Sequence, residues 1–138
     1  PKKSPGWRSA WRRQKPSMNE RQTLGRWGES LAAIHLEAKG YQIVTRNWRC
    51  QYGEVDLVAK TGAEWVFVEV KTRRGQTMGA PEEALTAVKQ RKMVAVAEEY
   101  LLAHDLDADW RVDLVAVELD TSGKLLRCDH IPNVVLGW

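Results

Sequence analysis

The chain has 138 residues, of which 43% are hydrophobic and 28% charged, and its formal net charge is +3. This length suits one domain with one core, and no apolar run approaches the roughly 20 residues that cross a bilayer, so we expect a soluble protein without a membrane partner. Cys50 and Cys128 have no metal-ligand spacing, and no apolar stretch follows the basic N-terminus as in a secretory signal. Both observations favour the reducing cytoplasm.

The basic charge is concentrated at the N-terminus. Residues 1–17 contain six basic and no acidic side chains, which leaves residues 18–138 with a net charge of −3. The prolines, serines and glycine of residues 1–17 predict a flexible arm, followed by a single domain over 18–138. Trp7 and Trp11 could stack on nucleic-acid bases, or the arm is a leader whose charges are simply solvated.

Helix and strand patterns alternate in the order α-β-β-β-α-β-β. The predicted helices cover about residues 20–39 and 81–103, and the predicted strands about 41–50, 54–60, 64–72, 110–119 and 124–131. The helices show apolar spacing or favourable first-turn residues, and the strands are rich in β-branched and aromatic residues. Because the second helix returns the chain to the sheet, the next strand can pair parallel with an earlier one. We therefore expect an α/β fold with a mixed sheet flanked by helices.

The second and third strands bring acidic residues together. If Gly62-Ala63 is a two-residue hairpin loop, the numbers of paired residues sum to 125. Asp56 then lies opposite Glu69, Glu54 lies opposite Lys71, and all four side chains project from one face. The opposite face is predicted to be an apolar core face formed by Val55, Leu57, Ala59, Val66, Val68 and Val70.

This pair of carboxylates is suited to metal chemistry. Cross-strand β-carbons are about 4.5 to 5.5 Å apart, so Asp56 and Glu69 can share one small hard cation. Mg²⁺ prefers one or two carboxylates and leaves positions open for phosphate, and Lys71 can hold or deprotonate an attacking water. The alternative is a set of exposed cross-strand ion pairs in which Glu54 meets Lys71. Glu69 lies in an otherwise apolar strand, where an unpaired carboxylate is costly, and this favours the metal site.

Five sequence blocks carry a resemblance to a known family. They are Gly25-Arg26-Trp27-Gly28-Glu29, Asn47-Trp48-Arg49, Gly53-Glu54-Val55-Asp56-Leu57-Val58, Phe67-Val68-Glu69-Val70-Lys71-Thr72-Arg73 and Lys89-Gln90-Arg91-Lys92. Over about residues 20–131 the chain resembles the YraN-like family of small bacterial proteins. Asp56 followed by Glu69-Val70-Lys71 is similar to the PD-(D/E)XK signature of restriction-endonuclease-like nucleases, although Val55 stands where that signature has proline.

The resemblance implies a restriction-endonuclease-like core and a role for each matching residue. Asp56 and Glu69 would be ligands of Mg²⁺ or Mn²⁺, with the Val70 carbonyl oxygen as a third donor. Lys71 would be the catalytic lysine. Glu29 matches the additional acid of the Holliday-junction-resolvase branch, and it sits at the margin of the apolar stripe of its helix, so packing on the sheet could deliver it to the site. The alternative for Glu29 is an exposed side chain on a solvated helix.

Nucleic acid is the expected partner. The candidate phosphate-contacting residues are Arg73, Arg74, Lys89, Gln90 and Lys92. A basic helix turn is otherwise a solvated face. We expect a metal-dependent endonuclease that cuts DNA, with branched or damaged DNA as candidate substrates, and that forms a homodimer if it cuts two strands. The alternatives are a non-catalytic nucleic-acid-binding or adaptor module and a metal-binding structural protein. Because residues 18–138 are net negative, DNA affinity would depend on local basic patches and on the arm.

Two further sets of polar residues are assigned no role in the site. Asp113 lies on the apolar fourth strand close to Arg111, and we expect these two residues to form a structural ion pair. The three histidines show no ligand spacing and are assigned no chemistry.

Overall fold

The structure is a computed structural model that describes residues 20–75 and 85–135. Its elements are α1 (Glu20–Ala38), β1 (Gln42–Cys50), β2 (Gly53–Thr61), β3 (Glu64–Arg74), α2 (Ala87–Ala103), β4 (Trp110–Leu119) and β5 (Leu125–Ile131). The predicted order of elements is therefore confirmed. The predicted arm over residues 1–17 lies outside the described residues.

The five strands form one mixed sheet in the order β1-β2-β3-β4-β5. The β3–β4 pair is parallel, as expected for a chain that returns to the sheet through α2, and the other three pairs are antiparallel. Alanines and a leucine of α1 pack on one face of the sheet, and valines and Tyr100 of α2 pack on the other. The α/β class and the helix-flanked mixed sheet are thus confirmed, and the two cores cover opposite faces.

The start of α2 differs from the prediction. The helix begins at Ala87 and not at residue 81, because Thr86 is its N-cap and accepts a hydrogen bond from the backbone N–H of Lys89 through its side chain at 3.2 Å. Leu85 and Thr86 are not helical, and residues 81–84 lie outside the described residues. The threonine cap therefore sets the boundary.

The β2–β3 register agrees with the sequence prediction. The pairs run from Thr61 with Glu64 to Leu57 with Val68, and their numbers sum to 125. The paired ladder stops at Leu57, although β2 begins at Gly53 and β3 continues to Arg74. The strands thus lose their regular pairing at the position of Asp56 and Glu69. We call this position the sheet break.

The predicted apolar face of this hairpin is wrong for Val55. Leu57 and Ala59 pack on the α1 side, whereas Val55 packs on the α2 side with Val58 and Phe67. The alternation of side chains is therefore interrupted between Val55 and Leu57, because regular alternation would put both on one face. This interruption coincides with the sheet break.

Helix α1 approaches β3 very closely at Gly28. A β-carbon built on Gly28 would lie 1.7 Å from Oγ1 of Thr72, so the backbone can approach this far only because the residue is glycine. Gly28 is followed directly by Glu29, which brings that glutamate to the α1 side of the sheet break. The close approach is the structural basis for the position of Glu29.

Candidate active site at the sheet break

Asp56 and Glu69 are in contact, as the hairpin register predicts. Asp56 is partly buried, and its Oδ2 accepts a hydrogen bond from the backbone N–H of Val70 at 2.8 Å. Burial, a hydrogen bond with the Glu69 side chain and the Glu69 charge raise the pKa of Asp56 to about 8. Two carboxyl groups that share a hydrogen bond need a proton or a nearby cation at neutral pH.

Glu29 reaches the same site from α1. Burial, followed by the charge of Asp56, raises the pKa of Glu29 to about 7, although a hydrogen bond from the Asn47 side chain and the charge of Arg46 act in the opposite direction. Oε1 of Glu29 is buried without a hydrogen-bond partner among the described residues, and the same is true of Oγ1 of Thr72. The α1 side of the site therefore contains acceptor atoms that the protein leaves unsatisfied.

Asn47 is a site residue to which the sequence reasoning gave no role. It lies on β1 between the pairs Arg46 with Leu57 and Trp48 with Val55, which places it across from Asp56. Its backbone has φ of +54°, a left-handed conformation that asparagine tolerates better than most residues. The sequence signal that could have indicated this role is the presence of an asparagine, which is uncommon in strands, inside β1.

Lys71 and two lysines of α2 lie on the other side of the sheet break. Lys71, Lys89 and Lys92 line a cavity of about 200 Å³ together with Glu69 and Met93. The side chains of Lys71 and Lys89 are close to each other. Their hydrogen bond, followed by the repulsion between their charges, lowers the pKa of Lys89. The structure thus brings the predicted catalytic lysine, one predicted metal ligand and two predicted phosphate-contacting residues to one cavity.

Glu54 does not pair as the sequence alternative proposed. Its side chain forms an ion pair with Arg49, its partner in the β1–β2 ladder, while it lines the cavity near Lys71. Because β2 and β3 are no longer regularly paired at this point, the nearest strand to Glu54 is β1. The ion pair of Glu54 is therefore with Arg49, and not with Lys71 as the alternative proposed.

The remaining predicted phosphate-contacting residues have contacts elsewhere in the protein. Nε2 of Gln90 donates to the carbonyl oxygen of Leu85 at 3.0 Å, which ties α2 to the segment before it. Nε and an Nη nitrogen of Arg74 donate to the carbonyl oxygen of Thr121 at 3.0 and 2.6 Å, in the turn between β4 and β5. Arg73 precedes Arg74 at the end of β3. None of the three lines the cavity that contains Lys71.

The potential metal-ligating side chains of the described residues do not gather into a larger group. In residues 20–75 and 85–135, no three histidine, cysteine, aspartate or glutamate side chains form a group able to hold a metal ion. The acidic contact at the sheet break is therefore a pair, Asp56 with Glu69, with Glu29 close enough to Asp56 for their charges to interact.

The fold and the site define an α/β protein with a pair of contacting carboxyl groups at a break in its mixed sheet. The chain belongs to the Uncharacterised protein family UPF0102, whose model matches residues 28–117. The predicted YraN-like family is thereby confirmed. The match includes Glu29, Asp56, Glu69 and the three cavity lysines.

Curated relatives are similar over most of their length. The chain is 42% identical over 117 residues to a UPF0102 protein of Roseiflexus castenholzii, covering 83% of this chain and 94% of the relative. It is 47% identical over 110 residues to a UPF0102 protein of Chloroflexus aurantiacus, covering 78% and 88%. It is also 47% identical over 111 residues to a UPF0102 protein of Symbiobacterium thermophilum, covering 80% and 93%. Neither described helix is long and apolar enough to span a membrane.

Proposed function

We propose that this chain is a metal-dependent endonuclease that hydrolyses phosphodiester bonds of DNA. The observation that carries the proposal is the contact between the carboxyl groups of Asp56 and Glu69 at the sheet break, with Lys71 two residues further along β3. The element order and the parallel β3–β4 pair are also those expected of a restriction-endonuclease-like core. Fold and site therefore support the same class of chemistry.

The acidic residues are suited to Mg²⁺ or Mn²⁺. Asp56 and Glu69 would hold the ion, with the Val70 carbonyl oxygen as a third donor, and Glu29 would orient a water beside it. The raised pKa values of Asp56 and Glu29, and the unsatisfied Oε1 of Glu29, are features that a cation would relieve. When bound, such an ion polarises a phosphate oxygen and activates water.

The lysines of the cavity supply the complementary charge. Lys71 lines the cavity with Glu69, so its ammonium group can orient a water beside the acidic pair and offset negative charge on phosphate. Lys89 and Lys92 are exposed at the same cavity and can bind the neighbouring phosphates of a nucleic-acid backbone. The protein would thereby bind the substrate through α2 and act on it through β2 and β3.

A nuclease assay over several DNA structures tests the proposal. We expect the full chain with Mg²⁺ or Mn²⁺ to cut at least one of linear duplex, single-stranded, flap and four-way DNA. Glu69→Gln and Lys71→Ala should each lower the rate by at least about 100-fold, because each removes charge stabilisation in the transition state. Glu98→Gln is the matched control, since Glu98 is an exposed glutamate of α2. Equal cutting by the wild type and both site variants would contradict the proposal and indicate a contaminating nuclease.

The metal site is tested separately by titrating Mn²⁺ into the wild type and Asp56→Asn. We expect weaker binding by the variant, which loses one charged ligand. Equal affinity of the two proteins would contradict the assignment of Asp56.

A nucleic-acid-binding or adaptor module is the second candidate. It is favoured by the hydrogen bonds that Asp56 already makes with Glu69 and Val70, which partly satisfy the carboxyl group without an ion. Salt-sensitive DNA binding without cutting of any substrate would select this candidate.

A homodimer that cuts two strands remains a prediction. The oligomeric state of the full chain on DNA tests it.

A further inference from the structure

Tyr52 lies at the rim of the cavity that contains the lysines. Its exposed fraction is 47%, and among the large hydrophobic side chains exposed in the described part of the chain it is the only aromatic one. It lines the cavity together with Glu69, Lys71 and Lys89. An exposed aromatic ring beside cationic groups and a candidate acidic site has the composition of a nucleotide-binding surface.

The backbone holds Tyr52 in a tight turn. Gln51 and Tyr52 form the two-residue turn between Cys50 and Gly53, which are paired in the β1–β2 ladder. Gly53 has φ of +140°, a conformation that residues with side chains rarely adopt, and a β-carbon built there would lie 3.6 Å from the Val96 side chain of α2. Because the turn is short and rests near α2, the backbone holds the Cα atom of Tyr52 at the rim of the cavity.

The cavity beside Tyr52 combines an apolar and a cationic part. Met93 and Val96 contribute apolar surface. The charged side chains of the lining are three lysines and two glutamates, namely Lys71, Lys89, Lys92, Glu54 and Glu69, so positive charge is in excess. A nucleotide has the matching parts, since its base is a flat apolar surface and its phosphate is an anion. In a regular duplex the faces of each base are covered by its neighbours, so a protein ring can stack only on a base that is unpaired or has left the stack.

We propose that Tyr52 stacks on an unpaired nucleobase next to the phosphate that Lys71 and Lys89 bind. This inference rests on the proposed function, and it narrows the substrate class to nucleic acid with an unpaired nucleotide at the cavity, as in single strands, flaps and junctions. Regular duplex is then bound through its phosphates alone. Tyr52 determines specificity, and the acidic residues remain responsible for hydrolysis.

Binding by the full chain in EDTA tests this inference without any cutting. Fluorescence anisotropy compares a dye-labelled single strand, a flap and a duplex of the same sequence. Tyr52→Ala should weaken binding of the single strand and the flap by about 5- to 100-fold, and duplex binding by less than about twofold. Tyr52→Phe and Tyr52→Trp should keep the preference, because each retains an aromatic face. Leu102→Ala is the control, since Leu102 is a 77% exposed apolar residue of α2 and does not line the cavity.

Each other outcome overturns the inference. Equal weakening of single-strand and duplex binding by Tyr52→Ala would mean that Tyr52 does not select unpaired bases, and no weakening would mean that it does not stack. Wild-type protein that binds no probe would also contradict the inference. Selective binding by a chain that cuts no DNA would support the role of Tyr52 and contradict the endonuclease. If the wild type cuts duplex DNA and Tyr52→Ala binds every probe as the wild type does, the result would support the endonuclease and contradict the role of Tyr52.

Discussion

Asp113 on β4 and Asp56 on β2 are carboxylates of the same sheet, one buried and one partly buried, with very different surroundings. Asp113 is fully buried and accepts hydrogen bonds from Nε of Arg111 and from the backbone N–H of Asn133, each at 2.9 Å. Nε2 of His130 lies 2.6 Å from its other oxygen. Asp56 accepts one backbone hydrogen bond and otherwise meets another carboxyl group.

The difference separates an acid whose burial the protein compensates from one whose burial it compensates only in part. The predicted pairing of Asp113 with Arg111 is confirmed, and each oxygen of Asp113 has a partner that offsets its burial. At the sheet break, burial and like charge raise the pKa of both Asp56 and Glu29. The nearby hydrogen bonds and the charge of Arg46 offset this rise only in part. Such an incompletely compensated cluster is typical of a binding or catalytic site.

The largest expected effect is on folding stability. Asp113→Ala leaves Arg111 and His130 without their buried partner, and we expect it to lower the free energy of unfolding by about 3–5 kcal/mol. Asp56→Asn removes a like-charge contact, and we expect it to leave the free energy of unfolding unchanged or to raise it. Urea denaturation followed by tryptophan fluorescence measures both. Similar losses in the two variants would remove the distinction between the two acids.

A smaller effect is expected in the pH dependence of stability. The folded pKa of Asp56, about 8, and of Glu29, about 7, lie above the ordinary values of 3.8 and 4.5, so the folded state binds these protons more tightly than the unfolded state. The free energy of unfolding without divalent ions should therefore fall as pH rises from about 4 to about 8. Asp56→Asn should reduce this fall, because the variant has no carboxyl group at this position to take up a proton in the folded state.

Thermal unfolding in EDTA across this pH range provides the measurement. Glu98→Gln is the control for a general change in charge, because Glu98 is exposed on α2. Identical pH profiles for the wild type and Asp56→Asn would contradict the raised pKa of Asp56.

The smallest effect is expected at Asn47. Its side-chain hydrogen bond lowers the pKa of Glu29, so Asn47→Gly should raise that pKa further. Glycine accepts φ of +54° without strain, and we expect the free energy of unfolding to change by less than about 1 kcal/mol. Asn47→Ala adds the strain of a left-handed alanine and should be less stable than Asn47→Gly. An NMR titration of the Glu29 carboxyl group would show an unchanged pKa in Asn47→Gly if the hydrogen bond had no effect.

Local sequence signals predicted the hairpin that carries the site. Gly62 has φ of +60°, as the first position of the two-residue loop requires, and the loop fixed the register that brings Asp56 to Glu69. The bounds of β4 also agree with the prediction, since the strand is rich in β-branched and other apolar residues and is followed by a turn sequence that is evident in the chain itself.

Features that depend on neighbouring elements were not predictable in this way. Val55 lies where β2 is no longer paired with β3 and pairs with the irregular part of β1. Its packing on the α2 side depends on this change, so alternation along β2 alone predicted the wrong side of the sheet. The hydrogen bond from Arg74 to the carbonyl oxygen of Thr121 depends on a turn that lies 47 residues further along the chain. The close approach of Gly28 to Thr72 is a property of how α1 packs on the sheet, and it was not predicted from the sequence.

The irregularity of β1 also has a consequence for the behaviour of the protein in concentrated solution. Strand β1 is an outer strand of the sheet, its pairing shifts between Ile43 and Thr45, and Asn47 interrupts the extended backbone again. Outer strands that are long and regular recruit strands from other molecules and begin aggregation. The exposed Arg46 and Arg49 add like charges to this edge. The same distortion that places Asn47 beside Glu29 therefore discourages intermolecular β-pairing.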